Sequence, residues 1–310
     1  MFKSDAIFGI FLITECFIGL MGNSLLFILY MYTFLTQPHL KKPIDAIFTH
    51  LTLFNFLAIM FKFIAYVTLF FGGRRFLDDV GCKAIWYAYR VSQGLSVCTT
   101  LLLSAFQAIT VSPTNSKWAW LKSKLSTWVA SSFLFFWITN LFIYIQNILV
   151  RKVNSNSTVL VSGNSQASCQ IQQLEHNYST ALTSVMVIRD VLFVVLMLWT
   201  SLYMVCLLYT HHRRAQHVHS PSLSSQPSPE SKAIYSIILL VSSFVLFYFL
   251  YNFSFYYWFY RSQKNTIWEK ITGIISSCYQ TICPFVLMKN NKILSTFSSS
   301  LSKVRVPISQ

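Results

Sequence analysis

Charged side chains are scarce in this sequence. Only 11% of the 310 residues are Asp, Glu, Lys or Arg, and 9 residues are acidic, whereas charged residues make up about a quarter of an ordinary soluble domain. Glycine and proline are also sparse, at 9 and 8 residues, and no Gly/Pro-rich linker divides the chain. These shortages argue against a water-soluble protein and against several independent domains.

Patterns that carry catalysis or bind cofactors are also missing. No Ser/His/Asp, Cys/His, paired-carboxylate, P-loop or metal-ligand pattern occurs at a usable spacing. We therefore expect no enzymatic activity, no cofactor and no metal.

Long apolar runs dominate the sequence, which has 54% hydrophobic residues and a mean hydropathy of +0.52. A helix that spans a bilayer needs about 20 mostly apolar residues, because it must satisfy its own backbone hydrogen bonds in hydrocarbon. The runs predict an all-α membrane protein, a seven-transmembrane helix bundle that forms one domain over residues 1–310. The predicted spans are 6–33, 44–71, 83–110, 126–150, 183–210, 233–260 and 269–288, followed by a cytoplasmic tail over 289–310.

The formal charge of +15 would indicate nucleic acid as a partner of a soluble protein, but in a membrane protein its distribution matters more. Basic residues are more frequent in the loops on the side opposite the N-terminus, which favours an extracellular N-terminus and a cytoplasmic tail. We expect membrane lipid as a partner and no nucleic acid. The cations assigned to the cytoplasm are Lys41, Lys42, Lys117, Lys122, Lys124, Arg213, Arg214, Lys232, Lys289, Lys292, Lys303 and Arg305.

Two cysteines and two glycosylation triplets agree with this orientation. Five of the seven cysteines lie inside apolar spans, while Cys82 and Cys169 lie on the predicted outer side, where oxidising conditions permit a bridge. We predict a disulfide between them; the alternative is two free thiols. Asn156 and Asn177 begin triplets in the same loop as Cys169, and they would accept N-linked sugars if that loop faces the secretory lumen.

Four charged residues fall inside predicted spans at a common depth. Glu15, Lys62, Arg90 and Asp190 each lie seven to nine residues below an outer helix end, which at about 1.5 Å per residue is roughly 10–14 Å. Charges inside a span usually line the bundle interior or a wet cavity. Arg90 and Asp190, with Lys62 nearby, form either the polar floor or wall of an outward-facing ligand pocket or an internal ion pair that steadies the bundle. Arg189 must point about 100° away from Asp190, so we expect it to extend to the lipid interface.

Aromatic residues crowd the sixth span, and aromatic side chains suit apolar ligands. Tyr248, Tyr251 and Phe255 recur at helical spacing, so they are the candidates for a pocket face. The alternative is contact with lipid or with other helices.

A basic, histidine-rich segment follows the fifth span. Because no acid or cysteine completes a metal site there, we interpret it as a cation-rich extension of that span which faces an acidic partner or lipid headgroups. Its residues include His211, Arg213 and Arg214. After the seventh span, apolar residues at three- and four-residue spacing predict a short amphipathic helix on the inner leaflet.

The end of the third span reads LSAFQAITVSP from Leu103 to Pro113, and this run resembles the signature of the vomeronasal type 1 receptor family. The resemblance continues through Gly22-Asn23, His50-Leu51, Gly81-Cys82-Lys83, His211 to His219, Ser228 to Lys232 and Pro284 to Met288, so it covers nearly the whole chain. Asp-Arg-Tyr is replaced by a segment containing Gln107, and Cys283-Pro284 stands where rhodopsin-like receptors have Asn-Pro.

The resemblance implies a chemosensory receptor of the plasma membrane. It would bind a small volatile or steroid-like pheromone and signal through a heterotrimeric G protein of the inhibitory class, with Gln107, His211, Arg213 and Arg214 on the G-protein side. Two alternatives stay open. A bitter taste receptor also has seven spans and no Asp-Arg-Tyr, and a transporter could use the intramembrane charges as a substrate path.

Overall fold

The structure is a computed structural model that describes residues 2–36, 42–70, 79–113, 119–149, 152–153, 171–172, 176–218, 229–260 and 266–289. Seven helices in this part of the chain are long and apolar enough to cross a membrane, which confirms the predicted seven-helix bundle. They are α1 (Phe2–Thr36), α2 (Pro43–Phe70), α3 (Asp79–Val111), α5 (Leu125–Leu149), α6 (His176–Val218), α7 (Pro229–Tyr260) and α8 (Thr266–Lys289). A short helix, α4 (Ala119–Ser123), precedes α5.

A two-stranded ladder lies between α5 and α6, where the sequence predicted only a loop. β1 (Lys152–Val153) pairs antiparallel with β2 (Ile171–Gln172). The pairing closes the base of the long connection that contains Cys169 and Asn156, both of which lie outside the described residues.

Local sequence explains where α2 begins. Pro43 occupies the first helical position, where its fixed φ fits a helix and its missing N–H costs nothing. The Asp45 carboxylate accepts a hydrogen bond from the backbone N of Lys42 at 3.2 Å, while the Asp45 N–H donates to the Lys42 carbonyl at 3.0 Å. This pair of hydrogen bonds resembles a capping box, with the backbone carbonyl of Lys42 in place of an N-cap side chain.

A side chain of α1 donates a hydrogen bond to a carbonyl of α8 that a proline leaves without its helical partner. Pro284 lies inside α8 and has no N–H to donate to the carbonyl of Gln280, four residues earlier. The Nδ2 of Asn23 in α1 donates to that carbonyl at 2.9 Å. Small residues permit the approach, since a Cβ on Gly22 would lie 2.8 Å from Cγ of Pro284 and one on Gly19 would lie 2.8 Å from Oγ1 of Thr281.

Packing is uneven around the bundle. In its most hydrophobic stretch, α3 has 61% of its residues buried, whereas α6 has only 11%. Large apolar side chains on α5 and α6 are exposed, among them Phe142, Ile188 and Trp199. The buried shares make α3 the central helix and α6 a peripheral one. The exposed apolar side chains of α5 and α6 are expected to face the lipid bilayer.

Candidate functional site

An ion pair on α6 is the centre of a polar network. The Nη2 of Arg189 lies 2.8 Å from Oδ1 of Asp190, and Nε of Arg189 donates to the same oxygen at 2.9 Å. Arg189 also reaches α5, where it donates to the Tyr144 hydroxyl at 2.9 Å and to Oδ1 of Asn140 at 3.4 Å. We call these four residues, Asn140, Tyr144, Arg189 and Asp190, the α5–α6 network.

The prediction for Arg189 was therefore wrong. Its side chain is 15% exposed and packs over the rings of Tyr144 and Phe193 at 5.4 and 6.0 Å. The Cα atoms of Arg189 and Asp190 do differ by about 100° around the helix, but the long, flexible arginine side chain curls back to its neighbour. A partly buried carboxylate on the next residue gives the guanidinium a better partner than the lipid interface.

α3 packs closely against α5 at Gly94, next to the two α5 residues of the network. A Cβ on Gly94 would collide with Oδ1 of Asn140 and would lie 2.9 Å from Cε2 of Tyr144. The Nδ2 of Asn140 donates to the Phe136 carbonyl at 2.8 Å and to Sγ of Cys98 at 3.4 Å. Glycine at position 94 therefore lets α5 present its two polar side chains to α6.

Arg90 lies on α3 about one turn from Gly94, on the side of the bundle where α1 begins, which we call the amino-terminal side. Its Nη1 donates to the hydroxyl of Tyr251 at 3.2 Å. The guanidinium also lies over the rings of Trp86 and Tyr89, at 6.0 and 5.8 Å from their centroids. Arg90 and Tyr251, two of the predicted site residues, are thus brought into direct contact.

Tyr248 and Asp190 are also brought together. Tyr248 interacts electrostatically with the Asp190 carboxylate, but its buried hydroxyl has no hydrogen-bond partner of acceptable geometry. The ion pair that was the structural alternative for Arg90 and Asp190 is not seen, since within the described residues the Asp190 carboxylate pairs with Arg189. Phe255 belongs to α7, but its side chain lies outside the described residues.

Lys62 takes part in a separate cluster. Its Nζ donates to the Gly273 carbonyl and to the hydroxyls of Ser276 and Ser277, the last two at 2.7 and 2.6 Å. Ser277 donates in turn to Oε1 of Glu15 at 2.9 Å. This α1–α2–α8 cluster (Glu15, Lys62, Gly273, Ser276 and Ser277) ties three helices together through a buried acid and a buried base, which are 9% and 5% exposed.

His50 joins α2 to α3 and α5 in one tautomer. Nε1 of Trp137 donates to Nε2 of His50 at 3.2 Å, so Nε2 is an acceptor and the proton lies on Nδ1. Nδ1 is 2.8 Å from the hydroxyl of Thr99, which itself donates to the Leu95 carbonyl at 2.6 Å. The hydrogen bonds are mutually consistent only for a neutral imidazole, so His50 is a packing residue.

The opposite side of the bundle carries the candidate G-protein residues. Gln107 is 7% exposed and Ser112 is 2% exposed at the end of α3. Lys122 of α4 donates to the Ser112 carbonyl, and the Ser112 hydroxyl lies 3.0 Å from the hydroxyl of Tyr203 on α6. This end of α3 is therefore held to α6 by a contact between two hydroxyl groups and to α4 by a hydrogen bond from a lysine.

The basic segment continues α6 as a helix, as predicted. The backbone of α6 runs through His211, Arg213 and Arg214 to Val218, although the side chains of these three residues lie outside the described part of the chain. Within the described residues, no group of three or more His, Cys, Asp or Glu could hold a metal ion.

The disulfide and glycosylation predictions fall largely outside the described residues. Cys82 lies in the first turn of α3 and Asn177 in the first turn of α6 by their backbones, but neither side chain is described. Cys169 and Asn156 lie outside the described residues altogether. Pairing and sugar attachment stay predictions.

Sequence reasoning missed Asn140 and Tyr144. They lie four residues apart on a helix without charged residues, so they share one face, and that spacing was the available signal. Their partner on α6 could not be found this way, because it depends on how far the arginine side chain reaches.

Comparison with known proteins gives a consistent result. The family model described as the vomeronasal organ pheromone receptor family matches residues 6–300. Human vomeronasal type-1 receptor 4 is 34% identical over 277 residues, which cover 89% of this chain and 92% of the relative. Mouse vomeronasal type-1 receptor 46 is 31% identical over 304 residues, which cover 97% of this chain and 96% of the relative.

Proposed function

Because the chain belongs to the vomeronasal type 1 family of pheromone receptors, we propose that it binds a small, largely apolar ligand in an outward-facing pocket near Arg90 and signals through an inhibitory-class G protein. The family assignment carries the coarser part of this statement. The chain is a chemosensory G-protein-coupled receptor, a multi-pass protein of the cell membrane and not an enzyme. The bitter-taste and transporter alternatives are set aside by the same assignment.

The convergence of Arg90, Tyr251, Tyr248 and Asp190 carries the proposal for the ligand site. These side chains come from α3, α6 and α7 and meet on the amino-terminal side, where aromatic rings surround a cation and a hydroxyl. Polar groups set among aromatic side chains are typical of small-molecule sites. Phe255, one turn beyond Tyr251, would extend this face.

Lys62 is assigned differently. All three of its N–H donors already have acceptors on α8, so the contacts favour the structural alternative over a place in the ligand site. We propose that Lys62 and Glu15 have a structural role and fix α1 and α2 against α8.

The opposite side is proposed to face the cytosol and the G protein. Exposed basic residues such as Lys42 and Lys124 lie there, as the bias of positive charge toward the cytoplasm requires. The end of α3 lies against α6 through Ser112 and Tyr203, and the backbone of α6 continues beyond this contact through His211, Arg213 and Arg214. With this orientation, Gln107 lies just inside the surface that a G protein would contact, and Cys82, Cys169, Asn156 and Asn177 face outward.

Signalling in cultured cells tests the proposal. The chain is expressed with a G protein that accepts many receptors, and a library of volatile and non-volatile small molecules is screened by calcium release. For any active compound, Arg90→Ala and Tyr251→Phe should raise the half-maximal concentration at least tenfold at equal surface expression. Lys42→Ala, an exposed change on the opposite side, is the matched control and should leave potency unchanged.

Two results would contradict the proposal. Unchanged potency in both site variants would remove the ligand site from this region and leave Arg90 as a packing residue. An epitope tag at the N-terminus that is inaccessible on intact cells would reverse the orientation, and the G-protein assignment would fail with it.

A further inference from the structure

Three exposed side chains form a stripe where α4 meets α5. Trp120, Lys124 and Trp128 follow one another at four-residue spacing, which puts neighbouring side chains of a helix on one face. The backbone stays close to helical between them, because the Lys124 N–H donates to the Leu121 carbonyl at 3.2 Å and the Trp128 N–H donates to the Lys124 carbonyl at 3.1 Å. The two indole rings meet edge to face, with centroids 6.4 Å apart. We call these three residues the Trp–Lys–Trp stripe.

The stripe points away from the protein. Leu121 and Val129, next to it in sequence, are each 4% exposed, and Leu125 packs against the hydrophobic core, so these residues form the face that meets the bundle. Trp120 and Trp128 are 59% and 49% exposed, and the lysine between them is exposed as well. Two exposed aromatic rings in contact mark a surface for lipid or for another protein.

The stripe lies at the boundary of the membrane span. The apolar span of α5 begins at Leu125, directly after Lys124. Lys122 donates to the carbonyl of Ser112 at the end of α3, so α4 lies beside the end of a second spanning helix. Tryptophan side chains are enriched at this depth, where an apolar ring and a polar N–H both find suitable surroundings. The lysine of the stripe is therefore at the level of the lipid headgroups, on the side opposite the amino-terminal side.

The hydrogen-bond donors of the stripe are unused. Trp137, further along α5, donates its indole N–H to His50, and Lys42, another exposed cation on the same side, interacts electrostatically with the Asp45 carboxylate. Within the described residues, the two indole N–H groups and the Lys124 ammonium of the stripe have no such acceptor. The stripe therefore offers three donor groups and one unpaired positive charge to a molecule from outside the chain.

We propose that the Trp–Lys–Trp stripe binds the headgroup of an anionic phospholipid. The phosphate accepts hydrogen bonds from Lys124 and from an indole N–H, and the acyl chains run along the exposed apolar surface of α5, past Phe135 and Phe142. A phosphatidylcholine headgroup also has a phosphate, but it adds a cation that Lys124 repels. Phosphatidylserine has a net negative charge and is an anionic lipid of the cytoplasmic leaflet, which the orientation proposed above puts on this side.

Quenching of tryptophan fluorescence tests this site locally. The full-length receptor is placed in nanodiscs of equal parts phosphatidylserine and phosphatidylcholine, with bromine atoms near the top of the acyl chains of one lipid or the other. The chain has 8 tryptophans, so the signal of the stripe is the difference between the receptor and its Trp120→Phe, Trp128→Phe double variant. Phosphatidylserine should be preferred at the stripe by about fivefold, the size expected for one lysine beside an anionic surface.

Three lysine variants show whether the stripe itself is responsible. Lys124→Gln should remove the preference for phosphatidylserine. Lys42→Gln is the matched control, because it removes an exposed lysine on the same side that has an acid beside it, and it should leave the preference unchanged. Lys124→Arg keeps the positive charge and should preserve the preference, which separates loss of charge from misfolding.

Three results would overturn the proposal. Equal quenching by the two brominated lipids would leave the tryptophans as an ordinary interface belt. A preference that survives Lys124→Gln would assign it to the positive charge of the whole face. Quenching of the stripe by neither lipid would mean that protein covers it. None of these results depends on the receptor function or on its orientation, since the measurement uses neither a ligand nor a G protein and both leaflets of the nanodisc have the same lipids.

Discussion

Gly94 offers a quantitative test of how the α5–α6 network is held. In Gly94→Ala the new Cβ would collide with Oδ1 of Asn140, well inside the 3.0 Å that real Cβ atoms keep. Asn140 is not free to rotate away, because its side chain makes contacts to Phe136, Cys98 and Arg189. Either α3 and α5 must separate or those contacts must break.

The expected loss can be estimated from these two costs. Extra volume in a packed interior costs about 1–3 kcal/mol, and the displaced Asn140 loses one or two hydrogen bonds at about 1 kcal/mol each. Alanine recovers about 1 kcal/mol over glycine inside a helix. Gly94→Ala should therefore lower the free energy of unfolding by about 1–4 kcal/mol. At roughly 2 °C per kcal/mol for large chains, the melting temperature should fall by about 2–8 °C.

Thermal unfolding of the purified receptor in nanodiscs, followed by tryptophan fluorescence, measures this change. Repeating the substitution in an Asn140→Ala background supplies the control, because the nearest obstructing atom, Oδ1 of Asn140, is then absent. The loss caused by Gly94→Ala should shrink by at least half in that background. An equal loss in both backgrounds would show that Asn140 is not the main obstruction, and no loss in either would refute the close approach of α3 and α5.

Three further predictions concern other parts of the bundle. Lys62→Met should lower the free energy of unfolding by about 3–5 kcal/mol, because Glu15 is left buried without its countercharge; the double variant with Glu15→Gln should recover at least half of the loss in the same melting assay, and no recovery would argue against their coupling. Tyr203→Phe removes a hydroxyl contact between α6 and the end of α3, so ligand-independent signalling should rise at equal surface expression; an unchanged basal signal would show that this contact does not restrain activation. Cys82→Ser and Cys169→Ser should each reduce surface expression, with no additional loss in the double variant, and peptide mapping without reductant should recover the two cysteines in one linked species rather than as two alkylated thiols.

The number of helices could be predicted because apolar length alone decides it. A run of about 20 apolar residues has few alternatives to a spanning helix, and this constraint acts on each segment separately. The helical continuation of α6 through Arg213 was predictable for a similar reason, since no glycine or proline interrupts it before Val218. The β1–β2 ladder was not predictable, because two-residue strands leave no periodic pattern.

The sequence placed the four intramembrane charges on their helices, but it could not predict their partners. Position along a helix follows from counting residues, whereas pairing depends on helix rotation and on side-chain reach across a neighbour. Arg189 is an example. Its Cα lies about 100° around the helix from that of Asp190, but its long side chain brings the guanidinium to the Asp190 carboxylate. Lys62 shows the other side of the problem, since its three acceptors on α8 lie more than 200 residues away in sequence.

The uneven packing of the bundle has a mechanical consequence. Many apolar side chains of α6 are exposed and would face lipid, so a few polar contacts, those of Arg189 with α5 and of Tyr203 with the end of α3, account for much of what fixes this helix in the bundle. Its Arg189–Asp190 pair and its Tyr203 hydroxyl lie about 20 Å apart along one continuous rod, at about 1.5 Å per residue. One continuous helix therefore joins the proposed ligand side to the end of α3, so a shift of α6 at its ion pair would also change the Tyr203–Ser112 contact.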